Sequence, residues 1–254
     1  MNSKIAQQIL SLIDLTSLND NDQLINIEKL CKQTTNSFGH VPAICIYSRF
    51  ITYAKEQLKQ INPNVKIATV TNFPHGSSDI ELAIYETKLA IQRGADEVDI
   101  VFPYHDLIHG NTKIGFDMVK EAKLACGDKT LKVIIESGEL KSEALIRNAS
   151  TISIEAGCDF IKTSTGKVAV NATLEAAKIM LDTIKSTGSK CGFKAAGGIK
   201  TVTEAEKYLQ LANSIMGNTW VNSNTFRFGA SSLLQDVIAN LTNNPNTVQA
   251  NSSY

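Results

Sequence analysis

Short apolar runs alternate with segments of helical periodicity along nearly the whole chain, and this alternation restricts the folds that it can adopt. Residues 41–47 (VPAICIY) and 66–73 (KIATVTNF) are two of these runs, and each is followed by apolar residues at three- and four-residue spacing. Strands without polar alternation need cover on both faces, which parallel sheets receive from the helices between their strands. Counting from Ile13 to Phe228 gives eight strand–helix units. The sequence therefore predicts an α/β fold, a single-domain (β/α)8 TIM barrel.

A doubly wound open sheet is the alternative architecture, because it shows the same alternation of strands and helices. That fold commonly carries a Gly-x-Gly-x-x-Gly turn after its first strand, and no such turn follows the first predicted strand here. The tripeptides at residues 94–96 (GAD) and 157–159 (GCD) each end a predicted helix and open a strand. They are about two strand–helix units apart, which favours the barrel.

The two ends of the chain differ from the barrel segment. Residues 3–12 have the pattern of a short N-terminal helix that precedes the first strand. Residues 242–254 are rich in Asn and Ser and contain few large apolar side chains, which indicates a flexible C-terminal tail. We therefore predict a catalytic domain at residues 1–241 and a mobile tail at residues 242–254.

Charge and cysteine content limit the classes of partner and the compartment. Lys+Arg 25 balance Asp+Glu 25, and no basic block stands out, so we expect neither nucleic acid nor a membrane surface as partner. Polar side chains interrupt the first 14 residues, which fit neither a signal peptide nor a membrane span. The five cysteines are widely spaced and lack paired metal-binding spacing. They predict free thiols in a cytoplasmic protein.

Residues 160–167 (FIKTSTGK) place a lysine, Lys162, at the end of a short apolar strand. A strand covered on both faces has little room for a charge unless that charge is paired or neutralised. A lysine that burial or a neighbouring cation makes neutral is a nucleophile towards carbonyl carbon. Taken alone, however, a lysine at a strand end more often extends its ammonium group into solvent.

Four other predicted strands carry a polar residue in a similar position: Asp14, Cys45, Asp99 and Lys194. The active sites of such barrels form at the carboxyl ends of the strands. Each residue alone could be a satisfied structural group, but five together indicate a site. Lys194 beside Lys162 would favour one free amine by lowering its pKa, and Asp99 with Asp14 could move protons. This combination predicts Schiff-base cleavage of a carbon–carbon bond.

Glycine-rich turns follow the last three predicted strands and suggest a phosphate site. Glycine lets backbone N–H groups approach an anion, and the final turn opens a helix whose amino end attracts negative charge. Barrels of this type commonly hold phosphate after their last two strands. Simple turn chemistry would account for each glycine alone. The turns are Gly166-Lys167, Gly197-Gly198 and Gly229-Ala230-Ser231-Ser232.

His105 and His109 have the spacing of a metalloprotease zinc helix, with Asp106 in place of the usual glutamate. Proline and glycine flank this span, leaving it too short for the long helix that such a site requires. We therefore expect no metal site.

Several longer motifs resemble those of deoxyribose-phosphate aldolases of the bacterial type. They are AICIY (residues 43–47), VTNFPHG (70–76), EVD (97–99), FIKTSTGKV (160–168), GFK (192–194), AGG (196–198) and RFGASS (227–232). The resemblance covers nearly the whole chain, and motifs of this length are specific. It implies a cofactor-free class I aldolase on a (β/α)8 barrel, expected to be a homodimer. The implied reaction interconverts 2-deoxy-D-ribose 5-phosphate with D-glyceraldehyde 3-phosphate and acetaldehyde.

The resemblance also implies roles for individual residues. Lys162 matches the Schiff-base lysine, Lys194 the lysine that perturbs it, Asp99 the proton-relay acid and Asp14 a carboxylate supporting that relay. Tyr254 matches a terminal tyrosine that can reach the site and assist proton transfer. The substrate and phosphate pocket is matched by Cys45, Thr165, Gly166, Lys167, Gly197, Gly198, Lys200, Gly229, Ser231 and Ser232.

Two residues depart from the family pattern. Lys200 stands where relatives have arginine, so the position keeps a cation but loses the bidentate fork that suits phosphate. Ala195 stands where a proline is common. These departures concern phosphate affinity and not the reaction.

Two other functions remain open from the residues alone. One is a phosphate-binding barrel isomerase in which the lysines act as electrostatic clamps without forming a Schiff base. The other is a phosphosugar-binding protein without catalytic activity, which the intact set of Asp99, Lys162 and Lys194 disfavours.

Overall fold

Within residues 3–243, the part of the chain that the structure (a computed structural model) describes, eight parallel strands close into a barrel. The strands are β1 (Ile13–Ser17), β2 (Ala43–Ile46), β3 (Lys66–Thr71), β4 (Glu97–Val101), β5 (Thr130–Ile134), β6 (Phe160–Lys162), β7 (Gly192–Ala196) and β8 (Phe226–Ala230). The helices are α1 (Ser3–Leu10), α2 (Leu24–Gln33), α3 (Ile51–Ile61), α4 (Ile80–Gln92), α5 (Tyr104–Ile108), α6 (Thr112–Cys126), α7 (Ser137–Leu140), α8 (Glu143–Glu155), α9 (Leu174–Thr187), α10 (Val202–Met216) and α11 (Leu233–Thr242).

Each strand pairs with the next one along the chain, and β8 returns to β1, where Ile13 lies opposite Phe228 and Leu15 opposite Ala230. The sheet therefore has no open edge. The predicted (β/α)8 barrel with a short N-terminal helix is confirmed, and the doubly wound alternative is wrong.

Most of the apolar core lies between the strands and the surrounding helices. Val98 and Ile100 of β4, for example, belong to one large buried cluster together with Met118 and Ala122 of α6. Gly115 allows α6 to lie close to the barrel, since a Cβ atom there would come within 2.2 Å of the Phe102 ring. The helical periodicity of the sequence predicts these contacts, because it places apolar residues on the helix faces that pack against the strands.

The barrel interior contains charged side chains in addition to apolar ones. Side chains alternate between the two faces of a strand, so paired residues of neighbouring parallel strands point to the same side. Asp99 lies opposite Lys132 on β4 and β5, and Lys162 lies opposite Lys194 on β6 and β7. Lys194 in turn lies opposite Arg227 on β8. Barrel closure thus gathers these charges on its axis.

Several short elements were not predicted from the sequence. They are a hairpin formed by Thr35–Asn36 and Gly39–His40, a single 3-10 turn at Ser48–Phe50, and the short helices α5 and α7. None of the helices within residues 3–243 has the length and apolar character needed to cross a membrane. Residues 244–254 of the predicted tail lie outside the described residues.

Candidate active site

A cavity of about 240 Å³ opens at the carboxyl ends of the strands, where β1, β6, β7 and β8 meet their following loops. Lys162 lies at its floor and the glycine-rich turns form its walls. The cavity therefore brings Lys162, from the first predicted group, together with the glycine-rich turns of the second. Its lining includes Thr16, Leu18, Lys162, Thr165, Gly166, Lys167, Gly197, Gly198, Lys200, Gly229, Ser231 and Ser232.

Lys162 is the last residue of β6, and its side chain reaches the cavity although only 3% of the residue is exposed. Its Nζ donates a hydrogen bond of 2.8 Å to Oδ2 of Asp99. Of the lysines that contact Asp99, Lys162 is the one that lines the cavity. It is therefore the amine that a small carbonyl compound in the cavity can meet.

Lys194 lies beneath Lys162 and is sealed from solvent. Its Nζ donates to Oδ2 of Asp99 at 2.9 Å, the same oxygen that Lys162 contacts, and also to Oδ2 of Asp14. Burial favours the neutral amine, but the carboxylates of Asp14 and Asp99 outweigh it and raise the pKa of Lys194 above its usual value. Lys194 is thus a permanent cation beside Lys162.

Three further charged residues, absent from the sequence prediction, extend this ion-paired network. Lys132 donates to Oδ1 of Asp99 at 2.9 Å and also contacts Glu97. Arg227 donates to Asp14 through one terminal nitrogen and to Oε1 of Glu97 at 3.2 Å through the other. Asp99 therefore accepts from lysines on β5, β6 and β7 at once.

These cations determine the ionisation of the buried carboxyl groups. Burial alone would raise the pKa of Asp99, but Lys132, Lys162 and Lys194 hold it well below the usual value. Burial likewise opposes ionisation of Asp14, whose pKa Lys194, Arg227 and Lys132 lower. Both groups are carboxylates at neutral pH and accept protons or hydrogen bonds.

The charges of this network balance when Lys162 is neutral. Three carboxylates (Asp14, Glu97 and Asp99) are ion-paired with Lys132, Lys194, Arg227 and Lys162. Lys132 and Lys194 each contact two or more carboxylates, whereas the ion pairs of Lys162 involve Asp99 alone within residues 3–243. A sealed interior disfavours an uncompensated charge. Lys162 is therefore the lysine of this network with the fewest carboxylate partners.

The outer part of the cavity suits an anion. Lys162, Lys167 and Lys200 line it, and none of its lining residues in the described chain is Asp or Glu. Ser231 and Ser232 precede α11, whose amino end opens on the cavity and favours negative charge. Together these groups favour the binding of an anion.

Glycine is required at two positions of this wall. Gly197 has a φ of 85°, and a Cβ atom there would come within 2.7 Å of the Asn171 side chain. A Cβ atom at Gly229 would come within 3.0 Å of Cε of Lys194. A larger residue at Gly229 would therefore displace the buried lysine.

Glu136 was not predicted either, and it shapes the loop after Lys162. It is buried at the end of β5 in a left-handed conformation, with a φ of 53° that is uncommon for a residue other than glycine. Its two carboxylate oxygens accept the N–H of Thr165 at 3.2 and 3.3 Å. Burial raises the pKa of the Glu136 carboxyl group. Glu136 thereby positions Thr165 in the cavity wall.

The predicted site residue Cys45 does not line the cavity. Cys45 is fully buried inside the barrel, in a small apolar cluster with Leu18, Ala68 and Val70, and it is not among the residues that line the cavity. Burial raises the pKa of its thiol. Tyr254 lies outside the described residues.

The His105–His109 segment forms the short helix α5 of five residues, with His109 just beyond its end. Nδ1 of His109 lies 2.7 Å from the carbonyl oxygen of His105. In residues 3–243, no group of three or more His, Cys, Asp or Glu side chains is placed to hold a metal ion.

The three charged residues that the sequence analysis missed share the feature that identified Lys162, a charge within a buried strand. Lys132 lies within the apolar run LKVII and Arg227 within RFGA, so each is a cation inside a buried strand. Glu97 begins β4 two residues before Asp99, which places both side chains on the same face of the strand. The same reasoning, applied to every strand, would have found all three.

A model of the family described as DeoC/LacD family aldolase matches residues 8–237 of this chain. The match extends from α1 into α11 and thus spans the complete barrel.

Solved structures with similar folds include three described as deoxyribose-phosphate aldolases or candidates for that activity. A candidate from Coccidioides immitis is 27% identical, with a TM-score of 0.83 over 92% of this chain and 86% of that one. A candidate from Toxoplasma gondii is 23% identical, with a TM-score of 0.86 over 95% and 97%. The enzyme from Aeropyrum pernix, described as a tetramer, is 21% identical, with a TM-score of 0.75 over 95% and 98%. At these identities, the last two show the fold alone.

Acid should destabilise the protein through Asp14 and Asp99. Their pKa values lie below those of carboxyl groups in an unfolded chain, about 3.9 for Asp, so their stabilising effect is complete above about pH 5. As the pH falls below about 4, the unfolded chain takes up protons that the folded chain does not. The free energy of unfolding should then fall by up to about 1.4 kcal/mol per pH unit for each group.

Urea unfolding between pH 3 and 7 measures this slope. Asp14→Asn should reduce it, whereas Asp128→Asn on the surface should leave it unchanged. Equal slopes for all three proteins would show that Asp14 does not contribute to acid lability.

Proposed function

The chain belongs to the DeoC/LacD family of aldolases, and from this premise we propose that it is a class I deoxyribose-phosphate aldolase. It would cleave 2-deoxy-D-ribose 5-phosphate reversibly into D-glyceraldehyde 3-phosphate and acetaldehyde. The observation that carries the proposal is the position of Lys162, which touches both the sealed ion network and the open, cationic cavity. The description of the Coccidioides immitis protein, a candidate deoxyribose-phosphate aldolase, supports the same substrate.

In the proposed mechanism, the neutral amine of Lys162 attacks the aldehyde carbon C1 of the open-chain sugar. Loss of water from the resulting carbinolamine gives an imine, which is protonated to an iminium ion. Removal of the proton from the C3 hydroxyl group breaks the C2–C3 bond and releases glyceraldehyde 3-phosphate. The enamine that remains on Lys162 takes a proton at C2, and hydrolysis then releases acetaldehyde.

Asp99 and Lys194 are placed to assist the proton transfers beside Lys162. Oδ2 of Asp99 accepts from both lysines, so one carboxylate oxygen connects the nucleophile to a second proton donor. A proton lost by Lys162 can pass to this pair and return to the carbinolamine hydroxyl or to the enamine carbon. Asp14 holds Lys194 from its other side. Its role in the proposal is to keep Lys194 charged and oriented.

The phosphate group would occupy the outer cavity. Its candidate ligands are the side chains of Lys167, Lys200 and Ser231 and the backbone N–H groups of the glycine turns. Nζ of Lys167 also donates to the carbonyl oxygen of Leu18 at 2.7 Å, which links the β6 loop to the β1 loop across the cavity. Phosphate bound at this end would leave the aldehyde at the other end of the sugar facing Lys162.

Other parts of the proposal rest on the family resemblance. A homodimer is expected, and the tetramer of the Aeropyrum pernix enzyme is a different assembly. Tyr254 would assist proton transfer, whereas the burial of Cys45 outside the cavity lining gives that residue no contact with substrate in the proposal. A cytoplasmic location agrees with the five free cysteines.

Borohydride reduction in the presence of acetaldehyde tests the Schiff base directly. We expect one two-carbon adduct on Lys162, found in the tryptic peptide of residues 148–167 because the modified lysine resists cleavage. Lys162→Met should fold and give no adduct at this position.

The alternative outcomes separate the rival functions. An adduct on Lys194 would keep the reaction class and exchange the roles of the lysines. A folded protein without an adduct would contradict the proposal and favour an isomerase in which the lysines act only as charges.

Lys194→Leu should lower kcat at neutral pH by at least about a hundredfold. Without Lys194, Lys162 would lose the buried cation that shares Oδ2 of Asp99 with it, and Asp99 would lose one of its three lysine partners. Lys190→Leu, an exposed lysine just before β7, is the matched control and should retain activity. Turnover near that of the wild type in Lys194→Leu would contradict this role.

Lys200→Arg should lower the KM for deoxyribose 5-phosphate by roughly threefold to tenfold, equivalent to about 0.7–1.4 kcal/mol. Arginine can bind phosphate with two N–H groups, whereas lysine offers a single ammonium group. Lys207→Arg, exposed on α10, is the control. An unchanged KM would place Lys200 outside the phosphate site.

A further inference from the structure

Two cysteines meet at the amino-terminal end of the barrel, opposite the active-site cavity. Cys158 lies two residues before β6 and Cys191 one residue before β7. Their Sγ atoms are 3.7 Å apart. The other three cysteines lie on α2, β2 and α6.

The backbone around this pair is suited to a disulfide. Phe160 lies opposite Gly192 in the sheet, and the N–H of Gly192 donates to the carbonyl oxygen of Asp159 at 2.8 Å. Neighbouring strands run about 4.8 Å apart, and a disulfide needs Cα atoms about 4.4–6.8 Å apart. This register places Cys158 diagonally across from Cys191, and the sulfur atoms would have to approach from 3.7 Å to about 2.05 Å.

A small reagent can reach both thiols. Cys158 and Cys191 line a cavity of about 450 Å³ on the amino-terminal face, and Lys66, Lys190 and Asn224 form exposed parts of its wall. The exposed fractions of the cysteines themselves are 7% and 3%. The thiols are thus buried against the barrel but accessible from this cavity.

We propose that Cys158 and Cys191 form a modification site: a dithiol that a small-molecule disulfide oxidises reversibly to an intramolecular disulfide. The thiolate of one cysteine attacks the reagent, giving a mixed disulfide and one released thiol. The second cysteine, as thiolate, attacks the protein sulfur of that mixed disulfide and releases the second thiol. Two S–H bonds are lost, one S–S bond forms, and the reagent accepts two electrons and two protons.

The reaction is slow under native conditions, because burial and the neighbouring thiol raise the pKa of Cys158 and leave little thiolate. Once formed, the bond closes a loop between positions 33 residues apart. It joins the starts of the two strands that carry Lys162, at the end of β6, and Lys194, in the middle of β7. The site does not depend on the function proposed for the opposite face.

The test is overnight incubation of the native protein with glutathione disulfide, followed by alkylation and non-reducing tryptic mapping. We expect a linkage between the peptides of residues 148–162 and 191–194, which dithiothreitol reverses. Each of the five cysteines falls in a different tryptic peptide, so the pairing is unambiguous.

Variants identify the site. Cys126→Ala, a buried cysteine at the end of α6, should still give the linkage, whereas Cys158→Ala and Cys191→Ala should not. Because the wild-type map needs no variant, poor folding of a variant leaves the proposal testable. Full alkylation of both thiols after incubation would overturn it. A stable glutathione adduct on one cysteine without the linkage would also overturn it.

Discussion

The carboxylate of Asp99 is the group on which the interior of this barrel depends. It accepts from Lys162 and Lys194 through one oxygen and from Lys132 through the other. Removing a carboxylate or an ammonium group from water is costly unless each finds a partner of opposite charge. Asp99 therefore allows three lysines to lie inside the barrel, and those lysines allow Asp99 to stay ionised. Through Asp14 and Arg227 the same pairing reaches β1 and β8.

Lys162 lies at the boundary between two environments. Below it, the network is closed to solvent, and Asp99 is the carboxylate that Lys162 contacts there. Above it, the cavity is open and lined by lysines and backbone turns that attract an anion. A phosphorylated aldehyde fits this arrangement, because its phosphate and its carbonyl group need opposite properties from the two ends of one site.

The strands β6 and β7 link the two ends of the barrel. They carry Lys162 at the end of β6 and Lys194 in the middle of β7, and at their amino ends they follow Cys158 and Cys191. Because β6 has three residues and β7 has five, each lysine lies only a few residues along the chain from the cysteine that precedes its strand. The barrel thus holds Lys162, at the cavity, and two adjoining thiols, at the opposite face, on the same pair of strands.

Local periodicity predicted the succession of strands and helices, and with it the barrel. It could do so because the spacing of apolar residues within each segment indicates which of its faces are buried. It also placed Asp14, Asp99, Lys162 and Lys194 on strands of one sheet. The sequence could not show which charges become partners: Arg227 and Asp14 are 213 positions apart and meet only when β8 closes against β1. Lys132 and Glu97 were equally visible as charges in strands, but their contact depends on the register of β4 and β5. Tertiary structure alone decided that Lys162 faces the cavity while Lys194 is sealed, since exposure depends on the stagger of the whole barrel and not on either strand by itself.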